Sequence, residues 1–299
     1  MPRLDEIQLR DPFVVVEDDH YYLFGSTDPD IWRADGIGFD AYRGTAPGVM
    51  DTFDGPFEVF RPPAGFWSRT NFWAPEVHVW QGRHYLFATF RPVAGRRGTA
   101  VLRSAGGLLG PYEPWSPGPV TPAGWECLDG TLHVDPDGMP WLVFCHEWQQ
   151  VGDGTVEAMR LAPDLRAAAS EPTTLFSASQ APWAAPLAGR APGSYVTDGP
   201  FVFRNAAGAL RCLWSSFGPD GAYRIGEAAS SGGVLGPWTQ AEQPLFTADG
   251  GHGMLFDGPG GARYLAVHSP NATPHERAIF VAVREDGDGA LHATGDVVR

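Results

Sequence analysis

Lysine is absent from this chain of 299 residues, and all 21 basic side chains are arginine. The absence excludes chemistry that needs an amine on a flexible stem: Schiff-base catalysis, attachment of pyridoxal phosphate and the phosphate-binding lysine of P-loop enzymes. The 35 acidic residues give a formal net charge of -14. Because an acidic surface repels phosphodiester backbones, we expect no nucleic-acid partner.

Cysteines and long apolar runs are also scarce. The three cysteines, Cys127, Cys145 and Cys212, cannot all pair and lack the spacing of metal ligands, so they are expected to be buried free thiols. No run of about 18 apolar residues occurs, and the N-terminal residues 1–6 contain no apolar core of signal-peptide length. The sequence therefore predicts a cytoplasmic protein without a membrane partner, and it leaves the oligomeric state open.

Helical periodicity is the third feature that is missing, since no stretch longer than about ten residues repeats at the helical period. A β-hairpin unit recurs instead. In its first copy, two apolar runs at residues 13–16 and 21–24 flank an acidic turn, and Asp11 stands at the head. Because Pro12 cannot donate to a sheet ladder, the first strand is predicted to begin at about Phe13, with Asp11 at its mouth.

The hairpin unit occurs five times, with heads at positions 11, 74, 129, 198 and 251. Third strands are expected in four of the periods, at residues 97–105, 154–162, 223–230 and 278–284. In three periods a Gly-Pro-aromatic signature suits an outer, edge strand, at residues 55–57, 110–112 and 236–238. Four-stranded repeats of this period predict an all-β, five-bladed β-propeller.

No low-complexity linker interrupts these repeats. Residues 1–299 are therefore predicted to form a single domain. The Pro- and Ala-rich residues 178–193 are expected to form a long loop between the third and fourth blades.

Acidic residues mark the heads of several units. Asp11, Asp129 and Asp198 open three inner strands, and Glu76 lies just inside a fourth. Aspartate beside Gly or Pro is ordinary turn chemistry, but three aspartates at one repeat position are expected to meet in a single funnel at the propeller axis. Like charges in a partly desolvated funnel push one pKa up and hold another down. A glycosidase needs such a set, because one carboxylic acid protonates the leaving oxygen while a carboxylate activates water or attacks the sugar.

Glu147 is a further candidate for the general acid. It follows the second strand of the third unit, which runs back toward Asp129, and Trp148 beside it is expected to raise its pKa. The alternative is a solvated loop glutamate. The pair His146-Glu147 does not continue into the zinc-protease motif, because position 150 is Gln.

Histidine and tryptophan supply the remaining candidates. His252 lies between two glycines at the head of the fifth unit, where it is predicted to bind a central ion, to order water, or to be a hydrogen-bonded core imidazole. Trp73 and Trp148 are two of the chain's 11 tryptophans and lie beside site elements. Because sugar rings stack on indole, both are candidate substrate-binding residues.

These motifs, in this order, resemble glycoside hydrolase family 43, the five-bladed propeller glycosidases of arabinose- and xylose-containing glycans. Arg10-Asp11-Pro12 is similar to the opening motif, whose aspartate is the general base of an inverting mechanism. The residues from Phe72 to Glu76 resemble the second-blade motif that lines the substrate pocket, so Glu76 is expected to contact substrate. Leu128-Asp129 resembles the third-blade motif, whose aspartate tunes the pKa of the acid and orients it.

The resemblance extends to the fifth blade but departs from the family pattern at the fourth. Gly251-His252-Gly253 resembles a motif whose histidine lies near a central metal ion in several members, so the resemblance implies a structural Ca²⁺ ion near the axis and no cofactor for the chemistry. The family's general acid is a glutamate before Gly-Pro or Ala-Pro, where this chain has Asp198. Either Asp198 serves, or Glu147 has taken over the role. Glu147 is preferred here for its longer reach and its tryptophan neighbour.

The function implied by the resemblance is that of an inverting exo-glycosidase that removes terminal sugars from plant-type glycans or oligosaccharides. An α-L-arabinofuranosidase is the first expectation and a β-D-xylosidase the second. Two other classes stay open at this point. One is a carbohydrate-binding propeller that has lost catalysis, which the altered fourth-blade motif allows; the other is a protein-interaction propeller, which would not need clustered carboxylates.

Overall fold

The computed structural model describes residues 1–299 and consists of five four-stranded antiparallel sheets, the blades of a β-propeller. Each blade is built from four consecutive strands, ordered from the axis outward. The first two blades contain β1 (Arg10–Glu17), β2 (His20–Ser26), β3 (Phe39–Gly44), β4 (Phe53–Phe60), β5 (Ser68–Trp80), β6 (Arg83–Pro92), β7 (Gly98–Ser104) and β8 (Tyr112–Pro114). The predicted all-β, five-bladed fold is therefore confirmed.

The other three blades follow the same plan. They contain β9 (Cys127–Val134), β10 (Pro140–His146), β11 (Thr155–Arg160), β12 (Thr173–Ser177), β13 (Asp198–Arg204), β14 (Leu210–Phe217), β15 (Tyr223–Ser230), β16 (Trp238–Gln240), β17 (Gly251–Asp257), β18 (Arg263–Ser269), β19 (Arg277–Glu285) and β20 (Leu291–Val298). The one α-helix, α1 (Trp148–Val151), is a single turn. The structure contains no helix with the length and hydrophobicity that crossing a membrane requires.

Apolar faces of neighbouring blades form the core. Between the first and second blades, a group of phenylalanines is fully enclosed, and the rings of Phe72 and Phe90 meet edge to face with centroids 4.9 Å apart. Between the third and fourth blades, the indoles of Trp183 and Trp214 lie 4.7 Å apart. Such aromatic contacts add to the free energy of area burial, and they hold adjacent blades at a defined angle around the axis.

The N-terminal residues close the ring between the first and fifth blades. Leu4 and Leu9 are fully buried. On one side the N–H of Phe53 in β4 donates to the carbonyl of Pro2 at 2.9 Å. On the other, Arg277 Nε in β19 donates to the carbonyl of Asp5 at 3.0 Å. The segment before β1 therefore fastens the first blade to the last.

Every inner strand carries a β-bulge at the end nearest the site. In β1, Arg10 pairs with Ser26 and Phe13 with Phe24, so Asp11 and Pro12 are extra residues within the strand. The strand thus begins at Arg10, and the prediction of a start at Phe13 is wrong because the bulge accommodates a proline without a ladder N–H. The first bulge residue has a positive φ in all five blades: Asp11 (55°), Ala74 (47°), Asp129 (57°), Gly199 (52°) and His252 (52°).

The three aspartates were expected at equivalent positions of their strands, but Asp198 differs from Asp11 and Asp129 in its position relative to the bulge. Asp198 pairs with Ser215 just as Arg10 pairs with Ser26, so Asp198 precedes its bulge by one residue. The positive-φ position of the fourth blade is held by Gly199 instead. A Cβ on Gly199 would lie 2.7 Å from Cγ of His252, so the inner strands of the fourth and fifth blades approach closely there.

Hydrogen bonds from the bulges link each blade to the one before it. The bulge N–H donates to a side chain at the end of the preceding blade's second strand: Ala74 to Ser26 (2.8 Å), Asp129 to Thr89 (2.9 Å), His252 to Ser215 (2.8 Å) and Asp11 to His268 Nδ1 (3.2 Å). In the third blade that acceptor position is Cys145, and Gly199 donates to Oδ2 of Asp129 at 3.0 Å instead. The backbone of the fourth blade is therefore hydrogen-bonded directly to a carboxylate of the site.

Candidate active site

The inner strands begin around a cavity of about 490 Å³ whose walls come from all five blades. Seven of the eight residues proposed from the sequence line it: Asp11, Trp73, Asp129, Glu147, Trp148, Asp198 and His252. The eighth, Glu76, does not. It directly follows the two bulge residues of β5, is 4% exposed, and its Oε2 is 2.9 Å from Nε2 of His78. The expectation that Glu76 contacts substrate is therefore corrected, because its side chain is buried outside the cavity lining and paired with His78.

Asp11 is held as a carboxylate. Its Oδ2 accepts a hydrogen bond from Oγ of Ser26 at 2.7 Å, and its Oδ1 lies 3.4 Å from Nδ1 of His252 and 3.5 Å from Nε of Arg10. Burial alone would raise the pKa of Asp11, but the positive charges of His252 and Arg10 outweigh it and lower the pKa below its usual range. A buried, ionised carboxylate at the mouth of a cavity suits a general base.

The surroundings of Asp198 act in the opposite direction on its pKa. Burial and the neighbouring Asp129 both raise its pKa, and the 2.8 Å hydrogen bond from the hydroxyl of Tyr223 to its Oδ2 compensates only in part. Burial raises the pKa of Asp129 as well, partly offset by His252. Because two buried carboxyls near each other cannot both ionise cheaply, the pair tends to retain a proton. Asp198 is therefore equipped to donate one.

Glu147 precedes α1 and points its side chain into the cavity wall, where it makes no capping hydrogen bond to that helix. Its Oε2 accepts from Nη2 of Arg97, which itself is buried. Burial raises the pKa of Glu147 to about 7, although the charge of Arg97 works against the rise. An arginine stays protonated at every physiological pH, and its hydrogen bond to Oε2 favours the carboxylate form of Glu147.

His252 lies between two site carboxylates. Its Nδ1 is 3.4 Å from Oδ1 of Asp11 and 3.5 Å from Oδ2 of Asp129. Burial would lower the pKa of His252, but these carboxylates raise it overall, which favours the imidazolium form. No three His, Cys, Asp or Glu side chains group as ligands of one metal ion. The donor set therefore does not fit an ion held by protein side chains, and the Ca²⁺ expectation rests on His252 alone.

The structure adds residues that sequence reasoning missed. Arg10 and Tyr223 touch the two principal carboxylates, and Arg97 pairs with Glu147. Of these three residues, only Arg10 could have been identified from the sequence, since it is adjacent to Asp11 in the opening motif. Trp32 was also missed; it is 50% exposed at the cavity rim, with the Arg10 guanidinium 5.2 Å from its ring centroid. No local pattern distinguishes Trp32, Arg97 or Tyr223 from core or surface residues.

The two predicted tryptophans differ in how they meet the cavity. Trp73 is nearly buried, and its indole N–H donates to the carbonyl of Ile31 at 2.7 Å. The guanidinium of Arg97 lies 5.0 Å from its ring centroid. Trp148 is half-buried beside Glu147, and Arg190 from the long loop lies 5.5 Å from its ring. Trp148 and Trp32 therefore present the more accessible indole surfaces.

Comparison with known proteins agrees with this geometry. The sequence model of the glycosyl hydrolases family 43 matches residues 6–289. A solved endo-arabinase from Bacteroides thetaiotaomicron is 38% identical, with a TM-score of 0.86, 95% of this chain covered and 97% of that chain. No curated protein sequence matches the chain significantly.

Two more distant structures share the fold. An α-L-arabinofuranosidase from Lactobacillus brevis is 18% identical, with a TM-score of 0.76 and coverage of 97% of this chain and 94% of that chain. A xylan β-1,4-xylosidase from Bacillus halodurans is 17% identical, with a TM-score of 0.69 and coverage of 95% of this chain and 54% of that chain.

The chain belongs to glycoside hydrolase family 43, and the predicted resemblance is confirmed. It is a glycoside hydrolase whose substrate is a carbohydrate, so the two non-catalytic alternatives raised by the sequence no longer apply.

Proposed function

We propose that this chain hydrolyses terminal α-L-arabinofuranosyl residues from oligosaccharides with inversion of configuration. The observation that carries the proposal is that two carboxyls lining one cavity have opposite surroundings, cations at Asp11 and a second carboxyl with a neutral hydroxyl at Asp198. Asp11 has a lowered pKa and Asp198 a raised one. In this mechanism Asp11 takes a proton from a water molecule that attacks the anomeric carbon, while Asp198 gives its proton to the leaving oxygen on the other face of the sugar.

Asp198 is our choice for the general acid, in place of Glu147, which the sequence favoured. A general acid must hold a proton before the reaction. Glu147 accepts its hydrogen bond from a guanidinium, whereas Asp198 accepts from the neutral hydroxyl of Tyr223. Asp129 also raises the pKa of Asp198. That effect matches the role of pKa modulator that the third-blade motif implied for Asp129.

Action on chain ends is supported by the shape of the cavity. The walls come from every blade and from the loop between the third and fourth blades, through Leu187 and Val196. Asn271 and Thr273, which follow the second strand of the fifth blade, also line the cavity. A funnel bounded on all sides accommodates a terminal sugar more readily than the middle of a polymer.

A second candidate is internal cleavage of arabinan. The 38% identical structure from B. thetaiotaomicron is described as an endo-arabinase. A β-D-xylosidase activity is a weaker alternative, since the structure described as a xylosidase is only 17% identical.

The test is a panel of aryl glycosides followed by polymers. We expect release of 4-nitrophenol from the α-L-arabinofuranoside in preference to the β-D-xylopyranoside, and NMR should show the inverted anomer as the first product. Linear arabinan should yield arabinose alone; early formation of arabino-oligosaccharides would identify the endo-acting alternative. A retained anomer as the first product would rule out the inverting assignment. It would mean that a carboxylate attacks the sugar directly, as in retaining enzymes, where the two carboxyls lie roughly 5–5.5 Å apart.

A further inference from the structure

Glu147 is a buried carboxyl at the cavity, paired with Arg97, that the proposed mechanism does not use. It is 3% exposed, and it lines the cavity next to the half-buried Trp148. Only its Oε2 is engaged by the protein, through Nη2 of Arg97. The other oxygen, Oε1, makes no hydrogen bond within the protein and is not sealed away from solvent. A buried carboxylate with a free oxygen at a cavity calls for a donor from a ligand.

The position of Glu147 is fixed by a chain of buried charges. Arg97 is 5% exposed; it donates from Nε to Oε2 of Glu126 at 3.2 Å and from Nη2 to Glu147. Its guanidinium also lies over the ring of Trp73. Glu126 in turn accepts from Arg91 at 2.9 Å. The Glu147 carboxylate therefore cannot rotate away without leaving Nη2 of the buried Arg97 without its acceptor, which is costly.

We propose that Glu147 is a substrate-binding residue that selects for a hydroxyl of the terminal sugar. This inference rests on the proposed glycosidase function and deepens it. A carboxylate is purely an acceptor, and sugar hydroxyls are the donors that a glycoside brings to the cavity. A site built around such a hydrogen bond rejects analogues that lack the hydroxyl far more strongly than an apolar pocket would.

The decisive variant is Glu147→Gln. Because Arg97 can only donate, the amide oxygen of the glutamine must face Arg97, and its NH₂ group then faces the sugar. An acceptor is thus replaced by a donor at unchanged volume. We expect kcat/KM to fall by about 10- to 100-fold, the size of a lost hydrogen bond to a charged group. The fall should be equal for activated aryl glycosides and natural oligosaccharides, since it concerns binding and not leaving-group protonation.

Deoxygenated substrates test the hydroxyl directly. The wild-type enzyme and Glu147→Gln are compared on 4-nitrophenyl α-L-arabinofuranoside and its 2-, 3- and 5-deoxy forms. The wild type should discriminate against one of the deoxy forms, and the discrimination should disappear in Glu147→Gln. Glu147→Asp keeps the charge beside Arg97 but withdraws the carboxylate by one methylene, so it should lose the same discrimination even if Glu147→Gln folds poorly.

Glu227→Gln is the matched control. It neutralises another buried glutamate that is paired with an arginine, Arg211, at a position that does not line the cavity, so its discrimination ratio should equal that of the wild type. Loss of discrimination in Glu227→Gln as well would show that the effect does not belong to Glu147 and would overturn the proposal. Unchanged discrimination in both Glu147 variants, or a loss confined to unactivated glycosides, would overturn it too. If another aryl glycoside is hydrolysed instead, the arabinofuranosidase proposal fails, and the Glu147 test is run on deoxy forms of that sugar.

Discussion

The heads of the first and fourth blades show how one residue type acquires two chemical states in a single fold. Asp11 occupies the bulge itself, where Arg10, His252 and Ser26 surround it with positive charge and a donor. Asp198 stands one residue earlier in its strand, where it meets Tyr223 and lies under the influence of Asp129. The neighbours of each buried carboxyl, cations at Asp11 and another carboxyl at Asp198, therefore decide whether it is suited to act as a base or as an acid.

The largest expected effect comes from Asp11→Asn. Asparagine tolerates the positive φ of this position and has nearly the same volume, so the fold should remain while the water-activating carboxylate is lost. We expect kcat to fall by about 10³-fold or more, measured on an aryl arabinofuranoside. Unchanged circular dichroism and melting temperature are the control. A variant that keeps more than about a tenth of the wild-type rate would remove Asp11 from the role of base.

The second effect separates Asp198 from Glu147. Glycosides with good leaving groups need little protonation, so loss of the acid should affect natural substrates far more than activated ones. We expect Asp198→Asn to lower kcat on arabino-oligosaccharides by about 10²-fold or more and on a dinitrophenyl glycoside much less. Glu147→Gln should lower both alike. A selective loss on natural substrates in Glu147→Gln, with an equal loss on both in Asp198→Asn, would identify Glu147 as the acid.

A smaller effect is expected on stability when a bulge loses its acceptor. Thr89→Val keeps the shape of the side chain but leaves the buried N–H of Asp129 without the hydrogen bond to Oγ1. The free energy of unfolding should fall by about 1–3 kcal/mol, measured by urea denaturation. Thr294→Val is a suitable control, because the Thr294 hydroxyl bonds at an exposed outer strand. Equal stability of the two variants would mean that the ring of bulge contacts contributes little.

The smallest expected effects are shifts in the alkaline limb of the pH profile. Asp198 must be protonated to act, so activity should fall as pH rises through its elevated pKa. The Tyr223 hydroxyl lowers that pKa and the charge of Asp129 raises it. Tyr223→Phe should therefore move the limb of kcat/KM to higher pH, and Asp129→Asn should move it to lower pH. Shifts in the same direction would show that the limb does not belong to Asp198.

Much of the fold could be predicted because each blade begins with the same local pattern. Alternating apolar runs around a tight turn identify hairpins without reference to the rest of the chain. The third strand of the first blade, β3 (Phe39–Gly44), was missed because its sequence alternates weakly and pairs with β2 over only a few residues. The bulges were missed as well, since a positive φ at Ala74 or His252 depends on the neighbouring blade and has no glycine to mark it.

Most of the residues predicted for the site line one cavity in the structure, and Glu76 does not. The acidic heads and His252 are adjacent to Gly or Pro at repeat positions, and this made them visible in the sequence. Arg97 and Tyr223 lie on or beside third strands, far from the motifs, so only packing brings them to the cavity. The preference for Glu147 as the acid relied on Trp148, whereas its buried partner in the structure is Arg97.

The sequence by itself determined the number of blades, the hairpins and the residues that start the inner strands, because hydrophobic alternation and Gly-Pro turns act over a few neighbouring residues. Only the tertiary structure decided which carboxyl meets a cation and which meets another carboxyl. Those contacts join residues far apart in the chain, such as Asp11 with His252 and Asp198 with Tyr223, across strands that the bulges displace by single positions. Coulombic interactions between buried groups depend on distances of a few ångströms, and those distances exist only after the ring has closed.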